Sequence, residues 1–126
     1  MQRILCRDGK PARSGARVVQ CRDADLLVSE AMNKGMVKAM EDIYRELGET
    51  DQATILFDIQ VYHMDVSDVG ALAEEANVQR LALNHLAPKP QGRLQANRLY
   101  RDPIRELHTG EVSVGEDGMQ IVIPVP

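Results

Sequence analysis

The chain has very few aromatic residues: one Phe, three Tyr and no Trp among 126 residues. Its core must therefore be built from aliphatic side chains, methionine and alanine. It also lacks a long basic run, and its formal net charge is −4. Both features argue against a protein that binds duplex nucleic acid through a concentrated basic face. The length predicts a single domain over residues 1–126 with a proper hydrophobic core.

Cysteine is also scarce. Cys6 and Cys21 are too few for a disulfide framework, and their spacing is not that of a C-x-x-C pair. The sequence contains neither a recognisable signal peptide nor an apolar stretch as long as a membrane span. We therefore expect a reduced, cytoplasmic setting and no membrane partner.

Apolar segments of strand and helix type alternate along the chain, which is typical of an α/β fold. A strand over 4–6, a helix over about 14–20 and a strand over 24–28 fit a parallel βαβ unit. Residues 53–57 fit either a helix or a strand, because periodicity does not separate the two. Near the end, an Asp-Gly turn between two alternating segments predicts a β-hairpin.

The most informative stretch runs from residue 58 to residue 88 and reads DIQVYHMDVSDVGALAEEANVQRLALNHLAP. Its apolar residues at 69, 72, 73 and 76 predict one face of a helix. Asp65 or Ser67 can cap the start of this helix, and Asn77 can end it. The short apolar run after the helix predicts a buried strand, which places Asn84 and His85 at its carboxyl end. In α/β folds the functional site lies at that end of the strands.

This stretch resembles the metallo-β-lactamase-fold hydrolases, specifically their ribonuclease Z-like and arylsulfatase-like branch. The resemblance implies that His85 is a zinc ligand and that His63 lies beside the metals and assists proton transfer. The residues that carry the likeness are Asp58, Ile59, Tyr62, His63, Leu72, Ala73, Ala76, Val78, Leu81, Leu83, His85 and Pro88.

The amino-terminal part of the chain is similar to the same family. Asp8-x-x-Pro11 and the segment ADLLVSEA at 24–31 match a strand-end aspartate and an "aspartate-leucine-leucine … glutamate-alanine" segment. The resemblance implies that Asp8 bridges two metals and that Glu30 orients His63. The chain departs from the pattern at Ser29, where many members have a histidine, and at 6–7, where they usually have Ser-Gly.

The likeness covers residues 4–124 but only the carboxyl-terminal half of the hydrolase fold. The H-x-H-x-D-H motif of the other half is absent. The candidate ligands for a zinc or manganese ion are Asp8 and His85. Two protein ligands are fewer than the three or so that a catalytic zinc site needs. Each residue also has a simpler interpretation. Asp8 can be a turn residue, Glu30 and His63 can be a neutralising pair, and His85 can be hydrogen-bonded without a metal.

The predicted fold is half of an αββα sandwich: a mixed sheet, covered by helices on one face and ending in a β-hairpin. Such a half would leave an apolar sheet face bare, so we predict a homodimer or a higher even oligomer through that face. The missing motif favours a catalytically silent structural or interaction module. The alternative is a metal-dependent phosphodiester or sulfate ester hydrolase whose site assembles at a homodimer interface. In a third arrangement a separate polypeptide supplies the other half.

Overall fold

Strands and helices alternate along the part of the chain that the structure describes. This structure is a computed structural model, and it describes residues 4–7 and 15–124. The candidate ligand Asp8 and the predicted start of the first helix at residue 14 lie outside the described residues. The elements in order are β1 (Ile4–Arg7), α1 (Gly15–Cys21), β2 (Leu26–Met32), α2 (Lys34–Glu46), α3 (Thr50–Tyr62), α4 (Val66–Glu75), β3 (Arg80–Ala87), α5 (Gly92–Ala96), a π-helical turn (Asn97–Arg101), α6 (Asp102–Arg105) and β4 (Glu111–Val114).

The four strands form one sheet in the order β1-β2-β3-β4, and all three strand pairs are parallel. The predicted α/β class is confirmed. The prediction of a mixed sheet is wrong for the described strands. Each connection between neighbouring strands contains at least one helix, and such a crossover returns the chain to the edge where the previous strand began.

The predicted terminal β-hairpin is not formed in the described residues. The turn itself is present, since the amide of Met119 donates to the carbonyl of Glu116 over 3.0 Å. Residues 119–124, which follow the turn, however form no strand beside β4. The guanidinium of Arg80 instead donates to the carbonyl of Val122 over 2.9 Å. This bond holds Val122 near the start of β3, beside the first residue of β4, since Arg80 pairs with Glu111.

The main core lies between one face of the sheet and helix α4. Asp65 caps the helix as predicted, because its carboxylate accepts from the amide of Ser67. Asn77 follows the helix with a φ of 53°, the left-handed conformation expected of a helix stop. The residues at 69, 72, 73 and 76 are all buried, as their spacing predicts. The rest of this core comes from α1, β2, β3 and the segment around Tyr100 and Ile104.

The second face of the sheet is less exposed than the sequence predicts. Leu26 on β2 and Ala82 on β3 do not belong to the main core, yet each is only 5% exposed. Val28, two residues after Leu26 and paired with Ala82, is half-buried. The described part of this face therefore has no large exposed apolar residue. The prediction of an oligomer through the sheet face stays a prediction.

Helices α2 and α3 form a helical hairpin that packs mainly against itself. The spacing of Met36, Met40, Ile43, Tyr44 and Leu47 predicts a helical stripe that packs in the core. This is wrong for Ile43 and Leu47, which are 56% and 69% exposed. The reason is that α2 turns a different side toward the protein, the side of Val37 and Glu41. Residues 53–57, which fitted either a helix or a strand, lie in α3.

None of the described helices is long and apolar enough to cross a membrane. Cys21 is a buried free thiol at the end of α1. The side chain of Cys6, by contrast, falls outside the described part of the structure.

Candidate functional site

The centre of the candidate site is Glu30, near the carboxyl end of β2. Its side chain is buried, and both of its oxygens accept hydrogen bonds. Oε2 lies 2.8 Å from Nδ1 of His63, and Oε1 accepts from the amide of Met64 over 3.2 Å. A buried carboxylate needs such partners. Glu30 therefore fixes both the imidazole ring and the backbone just after it.

The chain brings His63 to this carboxylate by running along the end of β2. His63 ends α3 in an extended conformation, with φ −108° and ψ 148°. The amide of Met32 then donates to the carbonyl of Met64 over 2.8 Å, and Met32 and Asp65 form an isolated parallel bridge. Asp65 also accepts from the amide of Lys34 over 2.9 Å. These bonds tie the start of α2 and the end of α3 to the same strand end.

His85 reaches the site because β3 contains one extra residue there. Glu30 pairs with Asn84 and the next residue, Ala31, pairs with Leu86, so His85 has no partner in β2. Its φ is 46°, in the left-handed region that is uncommon for a residue other than glycine. Bulges of this kind redirect a side chain and occur near functional sites. The ring of His85 consequently lies 5.5 Å from the ring of His63, centroid to centroid.

Glu30, His63 and His85 each offer one potential ligand atom, and these atoms lie within 4.8 Å of one another. In the tautomer with hydrogen on Nδ1, His63 donates to Glu30 and keeps a lone pair on Nε2. A carboxylate behind a histidine is the usual arrangement around protein metal sites, because it orients the ring and raises its basicity. The cluster therefore fits a zinc or manganese ion bound to His85, with His63 oriented beside it by Glu30. It supplies fewer than the three or so ligands that a catalytic zinc needs.

A cleft of about 510 Å³ opens beside His85. Its wall includes Asn84 at the end of β3, Lys89 in the following loop and Arg93 on α5. Arg93 forms an exposed ion pair with Glu116 at 3.2 Å across the mouth of the cleft. The arginines at 93, 98, 101 and 105 predict a solvated helix face, which agrees with this exposure, but the sequence does not place Arg93 next to His85.

Tyr100 holds the loop after His85, and the sequence analysis missed it. Its side chain is completely buried, and its hydroxyl donates to the carbonyl of Pro88. Burial raises the pKa of Tyr100 well above its ordinary value. No local sequence pattern around Tyr100 predicts this hydrogen bond, because its partner Pro88 lies twelve residues earlier in the chain.

The structure brings together three of the four predicted site residues, Glu30, His63 and His85. The fourth, Asp8, lies outside the described residues. The contact between Glu30 and His63 agrees both with an oriented catalytic histidine and with a simple neutralising pair. The third histidine, His108, belongs to a different place, where its Nδ1 lies 3.0 Å from Glu74 on α4.

No protein-family model and no curated protein matches the sequence. Among solved structures, the chain is similar to the metallo-β-lactamase fold protein YhfI from Bacillus subtilis, with 19% sequence identity and a TM-score of 0.58. The chain has part of a metallo-β-lactamase fold. The match covers 92% of this chain and 38% of YhfI, so this chain spans well under half the length of that protein.

This likeness confirms the predicted metallo-β-lactamase fold and the α/β half-sandwich that goes with it. At 19% identity it shows the fold alone. The ribonuclease Z-like or arylsulfatase-like branch stays a prediction, as do the roles of the individual site residues.

Proposed function

We propose that this chain supplies one half of the active site of a metal-dependent hydrolase. The observation that carries the proposal is the cluster of Glu30, His63 and His85, in which a buried carboxylate holds one imidazole beside a second. In this proposal His85 is a metal ligand, His63 transfers a proton, and Glu30 positions His63. A bound zinc or manganese ion would polarise an ester oxygen and acidify water at the site.

The residues of the chain suit proton transfer at one defined atom. Glu30 engages Nδ1 of His63 at 2.8 Å, so the exchangeable position is Nε2. Because the other oxygen of Glu30 is held by the amide of Met64, the carboxylate cannot easily rotate away. His63 is about one quarter exposed, with 23% of its side chain accessible, and can therefore meet a substrate or water. Histidine is well suited to this role because its ordinary pKa lies near neutrality.

The cleft beside His85 favours an anionic ester as the substrate. Lys89 and Arg93 line its wall together with Glu116 and Asp117, so the cations support an anionic substrate only if Arg93 exchanges its exposed partner Glu116 for a substrate oxygen. Arginine and lysine are the usual ligands of phosphate and sulfate groups. Together with the sequence resemblance, this supports a phosphodiester or a sulfate ester as the substrate class.

The remaining ligands of such a metal would come from Asp8 and from a second half of the fold. The half can belong to a second copy of this chain or to a separate polypeptide. The match over only 38% of YhfI supports the need for a further half.

A catalytically silent interaction module is the second candidate function. The small number of potential metal ligands favours this function, since the described residues bring only two imidazole nitrogens to the cluster. In this case Glu30 and His63 form a structural pair that joins α3 to β2, and no metal is involved.

Metal content separates the two functions. We would purify tag-free full chain without chelator, add zinc or manganese, remove the excess, and measure bound metal by elemental analysis. The proposal predicts about half to one ion per chain, lost in His85→Ala and retained in His63→Ala. His108→Gln is the matched control, because it removes the remaining imidazole at a distant site.

Wild-type protein without stoichiometric metal would support the silent module. Retention of the metal in His85→Ala would also contradict the proposed site. Circular dichroism of every variant checks that it is folded.

A further inference from the structure

The loop that follows His85 is held by hydrogen bonds from two separate parts of the chain. The backbone amide of Asn33, just after β2, donates to the carbonyl of Ala87 over 2.9 Å. The hydroxyl of Tyr100, in the π-helical turn, donates to the next carbonyl, that of Pro88. Two consecutive carbonyls, two and three residues after His85, are therefore fixed from different elements of the fold.

Asn33 also binds the π-helical turn that contains Tyr100. Its side-chain amide donates to the carbonyl of Leu99 over 2.9 Å, directly beside Tyr100 in the chain. Its Oδ1 accepts from the amide of Met36 over 3.0 Å and so caps α2. Asn33 thus joins the end of β2, the start of α2, the loop after β3 and the π-helical turn. We call Asn33 and Tyr100 the loop clamp.

The sequence explains why the carbonyl of Leu99 is available to Asn33. In a regular α-helix this carbonyl would accept from the amide four residues later. That residue is Pro103, which has no amide hydrogen and whose ring would crowd the carbonyl of Leu99 in an α-helical turn. The helix is instead widened into a π-helical turn over Asn97–Arg101. Turns of this type are frequent at functional sites.

Tyr100 is well suited to hold a backbone carbonyl in one place. Its side chain is completely buried in the main core, so the ring cannot swing away unless the core opens. Burial raises the pKa of Tyr100, which keeps the hydroxyl protonated and able to donate. A buried tyrosine hydroxyl needs a hydrogen-bond partner, and the carbonyl of Pro88 is that partner.

His85 needs such support because its backbone is strained and its side chain is exposed. Its φ is 46°, and a strained conformation persists only where the surrounding structure enforces it. The ladder with β2 supports the chain as far as the pair of Met32 with Ala87, which is the last pair. The loop clamp continues this support to Pro88.

The loop clamp also acts on the cleft beside His85. The wall of the cleft includes His85 before the two clamped carbonyls, and Lys89 and Pro90 after them. Fixing the carbonyls between these residues therefore fixes where His85 lies relative to the rest of the wall.

We propose that Asn33 and Tyr100 are positioning residues, which hold His85 and the adjoining cleft wall in the arrangement that the metal site requires. Neither residue touches the metal or the substrate in this proposal, because both act through the backbone after His85. The consequence for metal binding rests on the proposed function, whereas the consequence for the conformation of His85 does not. The two consequences are therefore measured separately.

Two variants remove bonds of the loop clamp and keep the other roles of the same residues. Tyr100→Phe removes the hydroxyl and keeps the buried ring. Asn33→Ser removes the donor to Leu99 and keeps a side-chain oxygen that can cap α2. Tyr44→Phe is the matched control, because it removes the hydroxyl of a tyrosine on α2 that does not belong to the loop clamp.

Nuclear magnetic resonance of the metal-free full chain tests the conformation of His85. In the wild type we expect a nuclear Overhauser contact between the rings of His63 and His85, whose centroids lie 5.5 Å apart. Both clamp variants should weaken this contact. Amide exchange at residues 85–87 should become at least about 10-fold faster relative to the amides of β2. Tyr44→Phe should change neither quantity.

A loss of global stability in the clamp variants, with the ring contact and the relative exchange at 85–87 unchanged, would overturn the proposal. That result is expected of hydrogen bonds that stabilise the fold without positioning His85. An equal effect of Tyr44→Phe would overturn the proposal too.

Zinc affinity, measured by competition with a chromogenic chelator, tests the consequence for the site. We expect about 10-fold weaker binding in each clamp variant, the lower end of what loss of an outer support costs a metal site. Unchanged affinity in the clamp variants of a zinc-binding protein would overturn the proposed role in metal binding. A wild type that binds no zinc would overturn the proposed function instead, and the ring contact and amide exchange would then decide whether the loop clamp positions His85.

Discussion

Helices α3 and α4 are neighbours in sequence and similar in apolar content, but the protein uses them differently. Five of the ten residues of α4 are buried, whereas one of the thirteen residues of α3 is. The buried residues of α4 share one face, which packs against the sheet, α1 and α6. The apolar residues of α3 point in several directions, and no single contact can cover them. The comparison separates apolar content, which the two helices share, from apolar periodicity, which decides burial.

The largest expected difference between the two regions concerns stability. Leu72 on α4 is 6% exposed and Leu47 at the end of α2 is 69% exposed, so the same Leu→Ala change can be made in both. We expect Leu72→Ala to lower the free energy of unfolding by about 3 kcal/mol, through lost burial and a residual cavity. Leu47→Ala should lower it by less than ~0.5 kcal/mol in the monomer. Urea unfolding at low protein concentration measures both.

A dependence of the Leu47→Ala effect on protein concentration would sharpen the comparison. Destabilisation that appears only at high concentration would indicate self-association through the hairpin, since association stabilises the folded state by mass action. A loss near 3 kcal/mol at every concentration would mean that the hairpin belongs to the same cooperative core as α4.

The same distinction explains how much of the fold the sequence could predict. Helix α4 was predicted with its cap, its stop and its buried face, because all three are local signals. Residues 53–57 remained ambiguous, because an apolar segment without a period fits a helix or a strand equally well. The predicted β-hairpin shows the limit of local signals. The turn at 116–118 forms, as its Asp-Gly pair predicts, but turn chemistry does not decide whether the following segment pairs with β4.

For the candidate site, the resemblance names Glu30, His63 and His85 and implies that Glu30 contacts His63, but it does not say how the chain brings His85 beside them. Glu30, His63 and His85 were identified through resemblance, and nothing local to any of them indicates that they meet. Their meeting depends on the bulge in β3, which adds one residue opposite the end of β2. A shift of one residue in a strand reverses the face of every side chain beyond it. Register of this kind follows from the packing of the whole sheet and not from a local pattern.

The two regions also contain one perturbed carboxylate each. In the hairpin, a hydrogen bond from Gln60, assisted by Arg45, lowers the pKa of Glu41 below its ordinary value of 4.5. On α4, a hydrogen bond from the amide of Thr109 is the main cause that lowers the pKa of Glu74. A lowered pKa in the folded state contributes stability above the ordinary value. That stability is lost as the pH falls below 4.5 and through the pKa of the folded protein.

These carboxylates should report on different unfolding events. Glu74 joins α4 to the segment before β4, so Glu74→Gln should lower the global free energy of unfolding at pH 7. Because the variant lacks this titrating carboxylate, its free energy of unfolding should fall less steeply below pH 4.5 than that of the wild type. Glu41→Gln should act on the hairpin, with faster amide exchange in α2 and α3 at pH 7 and a smaller change on acidification. Denaturant unfolding and hydrogen exchange between pH 3 and pH 7 measure the two effects. Equal global effects of both variants would show that the hairpin does not open separately.

The smallest expected effect comes from two helical glycines. Alanine generally favours a helix over glycine by up to ~1 kcal/mol, and this gain appears only where the added methyl group has space. At Gly35 on α2 the nearest atom to a new Cβ is Oδ1 of Asn33 at 3.6 Å, an ordinary contact. We therefore expect Gly35→Ala to raise the free energy of unfolding by roughly 0.5 kcal/mol.

At Gly70 on α4 the new Cβ would lie 3.2 Å from Cβ of Leu107, which must move. Gly70→Ala should thus gain less than Gly35→Ala in the same urea titration. A larger gain at Gly70 would mean that α4 is packed less tightly than its buried residues indicate, and the contrast with the hairpin would weaken accordingly.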